Sequence, residues 1–399
     1  MPFELERARL ETPGCANVLH FDNAGAALVP KSVLRATLDH LRLEAAIGGY
    51  RAAERALEMV EHSYDAAAKL LGCHREEIAL VEHATRAWDL AFYSIPFGPG
   101  DRILTDMAAY ASSYIAFLQV ATRTGAEIDV IHNDASGQIS VDALRHEMDE
   151  RVKLIALTHV PTNGGLVNPA AAVGQVAREF GVLYLLDACQ SVGQMALQVD
   201  DIGCDLLSAT GRKYLRGPRG TGFLYVRREV LERLEPPVLD LCAARWVARD
   251  RYEMRADARR FESWERNVAG VIGLGVAIDY ALGWGLDAIY GRVSSLAKRL
   301  RTQLEALPGV TVHDLGRERC GIVSFAVEGW QPEDLRCALA QEAINVSTST
   351  RYSTLLDMDD RGLTALVRAS VHYYNSEEEV GRFCAALETL VRGSTTLRD

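Results

Sequence analysis

The sequence predicts an α/β fold with a mostly parallel sheet of about seven strands, followed by a smaller α+β unit. Between residues 78 and 227 short apolar runs alternate with helical patterns. Most of these runs lack a polar alternation, as strands covered on both faces do. After about residue 235 the rhythm changes to a polar stretch, one long apolar helical pattern and two further strand-like runs.

In chain order the runs are "IALVEHA" (78–84), "RILTDMA" (102–108), "EIDVIHND" (127–134), "VKLIALTHV" (152–160), "VLYLLDAC" (182–189), "DLLSATG" (205–211) and "TGFLYVR" (221–227). The helical stretches between them include "ATRAWDLAFYSI" and "PAAAVGQVAREFG". The second begins at Pro169 and stops at Gly181, the usual start and stop residues. Farther on, "VAGVIGLGVAIDYALGWG" reads as a helix, and "GIVSFAVEG" and "ALVRASVHYY" read as strands. In the closing stretch Ser376 and Glu379 fit a capping box, with Val380, Phe383, Cys384, Leu387 and Val391 on one face. The division is an N-terminal arm over 1–18, a large domain over 19–259 and a small domain over 260–399.

The chain has 399 residues, 48% of them hydrophobic, enough for a sizeable core. Its 43 basic and 54 acidic residues give a net charge of -11, and no basic block stands out, so nucleic acid is not an expected partner. The opening "MPFELERARLETPGC" is charged and lacks an apolar centre, and no apolar run approaches a membrane span. Neither a secretory leader nor a membrane partner is therefore expected. The eight cysteines are scattered without a C-x-x-C pair, so neither a zinc site nor a redox dithiol is expected, and reduced cytoplasmic thiols are the default.

Chemistry concentrates in "SATGRKYLRGPRGTGFLYV" (208–226). It lacks the residue order of a P-loop. Lys213 follows a buried-type strand and precedes a glycine-rich turn where backbone can approach another group. Arg212, Arg216 and Arg219 are cationic neighbours able to lower its pKa or hold an anion. Lys213 is thus a candidate Schiff-base nucleophile, although a lone loop lysine is normally just solvated. Asp187, in "YLLDACQS", ends an apolar strand, where such sheets place their ligands; otherwise it is a helix cap. A lysine, a carboxylate for a pyridinium nitrogen and a phosphate cradle make up a pyridoxal phosphate site. The helix opened by Ala84-Thr85-Arg86 offers that cradle, or Thr85 merely caps it.

These residues carry a resemblance. "LHFDNAGAALVP", "HATRAWD", "AAYASSYIAF", "THVPTNGGLVNP", "LLDACQSVGQ", "GRKYLRGPRGTGFLYV" and "VRASVHYYNSEEEV" span almost the whole chain. Together they resemble the class V aminotransferase family of fold-type I pyridoxal 5'-phosphate (PLP) enzymes, the superfamily of cysteine desulfurases and isopenicillin N epimerases. The resemblance implies that Lys213 holds PLP as an aldimine and moves the Cα proton, and that Asp187 pairs with the ring nitrogen. It gives Gln190 to the ring 3'-oxygen, Tyr110 to ring stacking in place of histidine, and Thr162 to the position over the ring. Ala84, Thr85, Thr210 and Arg212 fall to the phosphate, and Arg368 to the substrate carboxylate. Asn23 and Ala24 are assigned to substrate binding. A homodimer is also implied.

The departures narrow the function. The stretch "INVSTSTRYSTLLDMDDRG", where desulfurases carry a nucleophilic cysteine, has none. Cys337 and Cys384 lie in helical patterns and read as packing residues, as does Cys189. The family's glycine–threonine phosphate clamp, supplied by a partner subunit, is replaced by Trp264-Glu265. "EAAIGGYRAAERAL", with "GRKYLRGPRG" and "FESWERNVAG", resembles the branch of hercynylcysteine sulfoxide lyases, which places Tyr50 near the substrate. The expectation is a PLP-dependent carbon–sulfur β-lyase on a cysteine-derived amino acid, with a transaminase, epimerase or desulfurase-like enzyme as the alternative. A nicotinamide dehydrogenase is disfavoured, because "GLGVAI" lies within a helical run and lacks the last glycine. A non-catalytic scaffold is disfavoured by the presence of Lys213 and Asp187 together.

Overall fold

Seven strands form one sheet in the computed structural model of the chain, which describes residues 3–395. They are β1 (Ile78–Val81), β2 (Arg102–Asp106), β3 (Glu127–Ile131), β4 (Val152–Thr158), β5 (Leu183–Asp187), β6 (Leu206–Thr210) and β7 (Gly222–Val226). Their spatial order is β1-β7-β6-β5-β4-β2-β3, and only β7 runs antiparallel to its neighbours. Each falls within a run read from the sequence. Their continuous apolarity has a direct cause. Leu183 and Leu185 of β5 enter one core, while Tyr184 and Leu186 enter the other, on the opposite face.

The helices that matter here are α1 (Lys31–Ile47), α2 (Leu57–Leu71), α3 (Ala84–Phe92), α4 (Ala111–Thr124) and α5 (Ala170–Phe180). Beyond the sheet come α6 (Val268–Trp284), α7 (Leu286–Glu305) and α8 (Glu377–Thr395). Helix α5 follows Pro169 and ends at Gly181, whose left-handed φ of 67° closes it. Before α8 the capping box forms: Glu379 N–H donates to Ser376 Oγ at 3.0 Å, and Ser376 N–H donates to Glu379 Oε2 at 3.2 Å.

A hairpin of β8 (Ala244–Ala248) and β9 (Arg251–Met254) leads to the C-terminal region. There β10 (Val310–Val312), β11 (Ile322–Val327), β12 (Ser347–Thr350) and β13 (Ala365–Ser370) form an antiparallel sheet in the order β10-β11-β13-β12. Two features cross the boundaries read from sequence. Helix α6 lies beyond residue 259 but packs on α1 and α2. Leu19–His20 pairs in parallel with Ile344–Asn345, so the chain start is stitched to the C-terminal sheet. Residues 1–2 of the arm and 396–399 of the small domain lie outside the described residues. No single helix among the described residues is long and apolar enough to cross a membrane; α6 is apolar because it is packed inside.

Candidate active site

A cavity of ≈ 450 Å³ opens beyond the carboxyl ends of β4, β5 and β6. Asp187, the last residue of β5, stands in its wall opposite Thr158 of β4 and Ser208 of β6. Its Oδ1 accepts from Cys189 N–H at 2.9 Å. Burial raises the Asp187 pKa, with the Cys189 hydrogen bond and the Lys213 charge opposing. Cys189, read from sequence as packing, lines the cavity within hydrogen-bond reach of Lys213. Burial pushes its thiol up, with the Lys213 and Arg212 charges opposing.

Lys213 sits on the turn after β6. Gly217 N–H donates to Gly211 O at 2.7 Å and Arg216 N–H to Lys213 O at 2.9 Å. A Cβ on Gly211 would stand 2.3 Å from Thr221 Oγ1, so the turn needs glycine there. Sequence proximity misleads for Arg216. Its left-handed φ of 63° turns the side chain inward, where it is 1% exposed. The guanidinium donates to Leu28 O at 2.8 Å and Tyr373 Oη at 2.6 Å, and lies 4.5 Å over the Tyr374 ring. It clamps the turn and is not a cation of the cavity. Arg212 does line the cavity, donating to Gly25 O.

Helix α3 begins beside the same cavity. His83 caps it, Nδ1 accepting from Arg86 N–H at 3.0 Å, which leaves Ala84 and Thr85 at the cavity wall with Thr210. Gln190 donates from Nε2 to Ala24 O at 3.1 Å, while its Oε1 is buried without a partner. Tyr110, at the start of α4, is 39% exposed and lines the opening.

The opposite wall comes from the C-terminal sheet. Arg368 on β13 is 7% exposed. One nitrogen donates to Thr162 Oγ1 at 2.6 Å, another lies 3.4 Å from Asp22 Oδ1, and Nε is buried without a partner. Thr348, Ser349 and Ser353 line the cavity beside it. Sequence reading missed these hydroxyls, and also Trp88, Ser112 and Ser113. Their signal was only "hydroxyl-rich stretch", which is equally the signal of a solvated loop.

Two residues assigned to the substrate are not among the cavity's lining. Asn23 is fully buried and bonds Ser370 O at 2.7 Å and Tyr374 Oη, an anchoring role. Tyr50 is 75% exposed, its ring 6.0 Å from that of Trp264. Ala24, next to Asn23 in the chain, does line the cavity. Cys337 is exposed on an outer helix rather than packed, whereas Cys384 is buried.

The cavity fits PLP. Asp187 is an enclosed carboxylate that feels the Lys213 charge but forms no ion pair among the described residues, and a protonated ring nitrogen would give it one. Gln190 Oε1 is a buried acceptor awaiting a hydroxyl, and α3 presents free N–H groups where a phosphate binds.

Comparison with known proteins agrees. The family model for aminotransferase class-V matches residues 19–383. A probable cysteine desulfurase of Xylella fastidiosa (strain Temecula1) is 33% identical over 376 residues, 93% of this chain and 90% of that protein. The apo structure of a cysteine desulfurase from Thermococcus onnurineus superposes with a TM-score of 0.91 at 30% identity, covering 98% of this chain and 99% of the other. A cystine C–S lyase in complex with its product cysteine persulfide shares the fold with a TM-score of 0.85 at 22% identity, over 94% of this chain and 99% of that one.

Proposed function

Because the chain belongs to the aminotransferase class-V family, whose members are PLP-dependent enzymes, we propose that it is a carbon–sulfur β-lyase acting on a cysteine-derived amino acid. One observation carries the choice of lyase over desulfurase. The cavity wall formed by 347–353 presents the hydroxyls of Thr348, Ser349 and Ser353 and no thiol. The one cysteine in the cavity, Cys189, has its thiol pushed up by burial, the reverse of what a sulfur-accepting nucleophile needs.

The roles follow from position. Bound PLP supplies an electron sink for charge developing at Cα. Arg368 grips the substrate carboxylate through its unpaired Nε and a second nitrogen, fixing the Cα–H toward Lys213. Lys213 would serve as the base that takes the Cα proton. Asp187 would hold the cofactor by its ring nitrogen and keep a proton there, and Tyr110 would flank the ring. The sulfur group leaves Cβ with the C–S electron pair, and the hydroxyls of Ser349 and Ser353 are placed to donate to it, whereas that of Thr348 donates to Glu333 Oε2 at 3.2 Å. The enamine product hydrolyses to pyruvate and ammonia. A sulfoxide of a cysteine conjugate, as in the hercynylcysteine branch, is the finer substrate proposal, since its oxygen accepts from those hydroxyls.

We also propose a homodimer. Leu34, Leu38 and Leu41 form an exposed stripe on α1, continued by Leu57 and Met59 on α2. Light scattering would read a mass of about twice the 43.8 kDa chain if this holds. All eight cysteines are free, which supports a reducing, cytoplasmic setting.

The reaction is tested by incubating PLP-loaded protein with cysteine S-conjugates, their sulfoxides, free cysteine and common amino acids. Pyruvate and ammonia from a sulfur conjugate establish the lyase. Alanine with sulfide, or amino transfer to a keto acid, replaces it with a desulfurase or a transaminase.

A further inference from the structure

The phosphate cradle is one-sided as described so far. Helix α3 offers the N–H groups of Ala84 and Thr85 and the Thr85 hydroxyl. The glycine–threonine clamp of the family has no counterpart, and Trp264 stands there with its backbone N–H donating to Asp240 Oδ2 at 2.7 Å. Thr210 and Arg212 also line the cavity, and the side left open by the missing clamp calls for further donors.

Two side chains of this chain are placed for it. Trp88 lies one turn into α3, is 3% exposed and lines the cavity. Its indole Nε1 is buried and has no hydrogen-bond partner. An indole N–H only donates, and a buried donor left unpaired is costly, so an acceptor bound in the cavity beside Trp88 would relieve it. Arg219 is exposed at the mouth of the same cavity. Among the described residues its guanidinium makes no ion pair or hydrogen bond. Its location follows from the sheet register. Gly222 at the start of β7 pairs with Val81 at the end of β1, so the residues before β7 lie beside those that open α3. The approach is tight: a Cβ on Gly222 would stand 3.0 Å from His83 Cα.

We propose that Arg219 and Trp88 complete the phosphate site from within one chain, taking the place of a hydroxyl contributed by a partner subunit. Arg219 brings a permanent charge and a planar fork to a dianion, and Trp88 brings one fixed donor. The inference rests on the PLP cofactor and is independent of which bond the enzyme cleaves.

The test separates phosphate contacts from ring contacts. Apo protein is titrated with PLP and with pyridoxal, which lacks the phosphate, following visible absorbance. Arg219→Gln should raise the PLP Kd about tenfold or more and leave the pyridoxal Kd unchanged. Trp88→Phe should raise the PLP Kd about threefold to tenfold, again without effect on pyridoxal. Equal weakening of both ligands, or an unchanged PLP Kd, overturns the assignment of that residue. Wild-type protein that takes up neither ligand overturns the whole site.

Discussion

The cavity has two halves of different construction. The cofactor half is built on the ends of β5 and β6, their following turns and the start of α3, so Asp187, Lys213 and Thr85 are held by the central sheet. The substrate half arrives from more than 100 residues away, on β12, β13 and the segment to Ser353. Its groups are an arginine and a row of small hydroxyls rather than a buried acid and a lysine. The difference teaches where each property resides. Proton chemistry is fixed by strands that cannot shift without breaking the core, whereas substrate choice is set by side chains that can be exchanged without touching it.

The largest expected effect comes from breaking the cofactor half. Lys213→Ala should lower kcat by about 10⁴-fold, since both the covalent anchor and the base are lost. The visible band of the lysine-linked cofactor should vanish in the same sample. A variant keeping more than a tenth of the activity would move the base elsewhere.

A second effect tests the electrostatic strain behind that half. Asp106 ends β2, is 1% exposed and has one oxygen bonded to Thr158 N–H at 2.8 Å and the other unpartnered. Burial, chiefly, raises its pKa to about 7, with the Asp187 charge adding to the rise. A folded-state pKa above the unfolded value means the protonated acid is the one the fold favours. Its stability contribution is present below about pH 4 and is lost as pH rises toward 7, on the order of 4 kcal/mol. Asp106→Asn should therefore flatten the fall in apo-protein Tm between pH 5 and pH 8. An unchanged slope would show that the carboxyl is solvated.

The substrate half should respond differently. Arg368→Lys keeps the charge but loses the fork, so KM should rise by about tenfold to 100-fold with kcat changed less. The PLP Kd should stay where it was; a parallel loss of cofactor would erase the distinction between the halves. The smallest effect is Ser349→Ala, a change of about threefold in kcat/KM confined to substrates with a polar leaving group. An equal change across all substrates would mean that Ser349 is structural.

Legibility in the sequence follows the same divide. Asp187 was readable because it ends a continuous apolar run and Lys213 because it follows a buried strand within three residues, and the end of a buried strand is a place in space as well as in sequence. Thr85 was readable as the opening of a helix. Arg216 was misread because sequence adjacency to Lys213 says nothing about direction, and one left-handed residue sends the side chain into a nest of tyrosines. Trp88 and Cys189 were invisible as cavity residues, since an apolar helix position and a small residue after a strand are ordinarily core.

By itself the sequence determined the seven-stranded α/β architecture, the strand ends that carry Asp187 and Lys213, and the caps of α5 and α8. Each follows from local patterning: apolar runs, periodicity and the backbone preferences of proline, glycine and serine. The tertiary structure alone decided that Arg368, Thr162, Thr348, Ser349 and Ser353 line one cavity with the lysine, that Asn23 is an anchor, and that Trp88 and Arg219 border the same cavity. Those facts depend on packing between segments far apart in the chain, and no local pattern encodes which distant surface a side chain will meet.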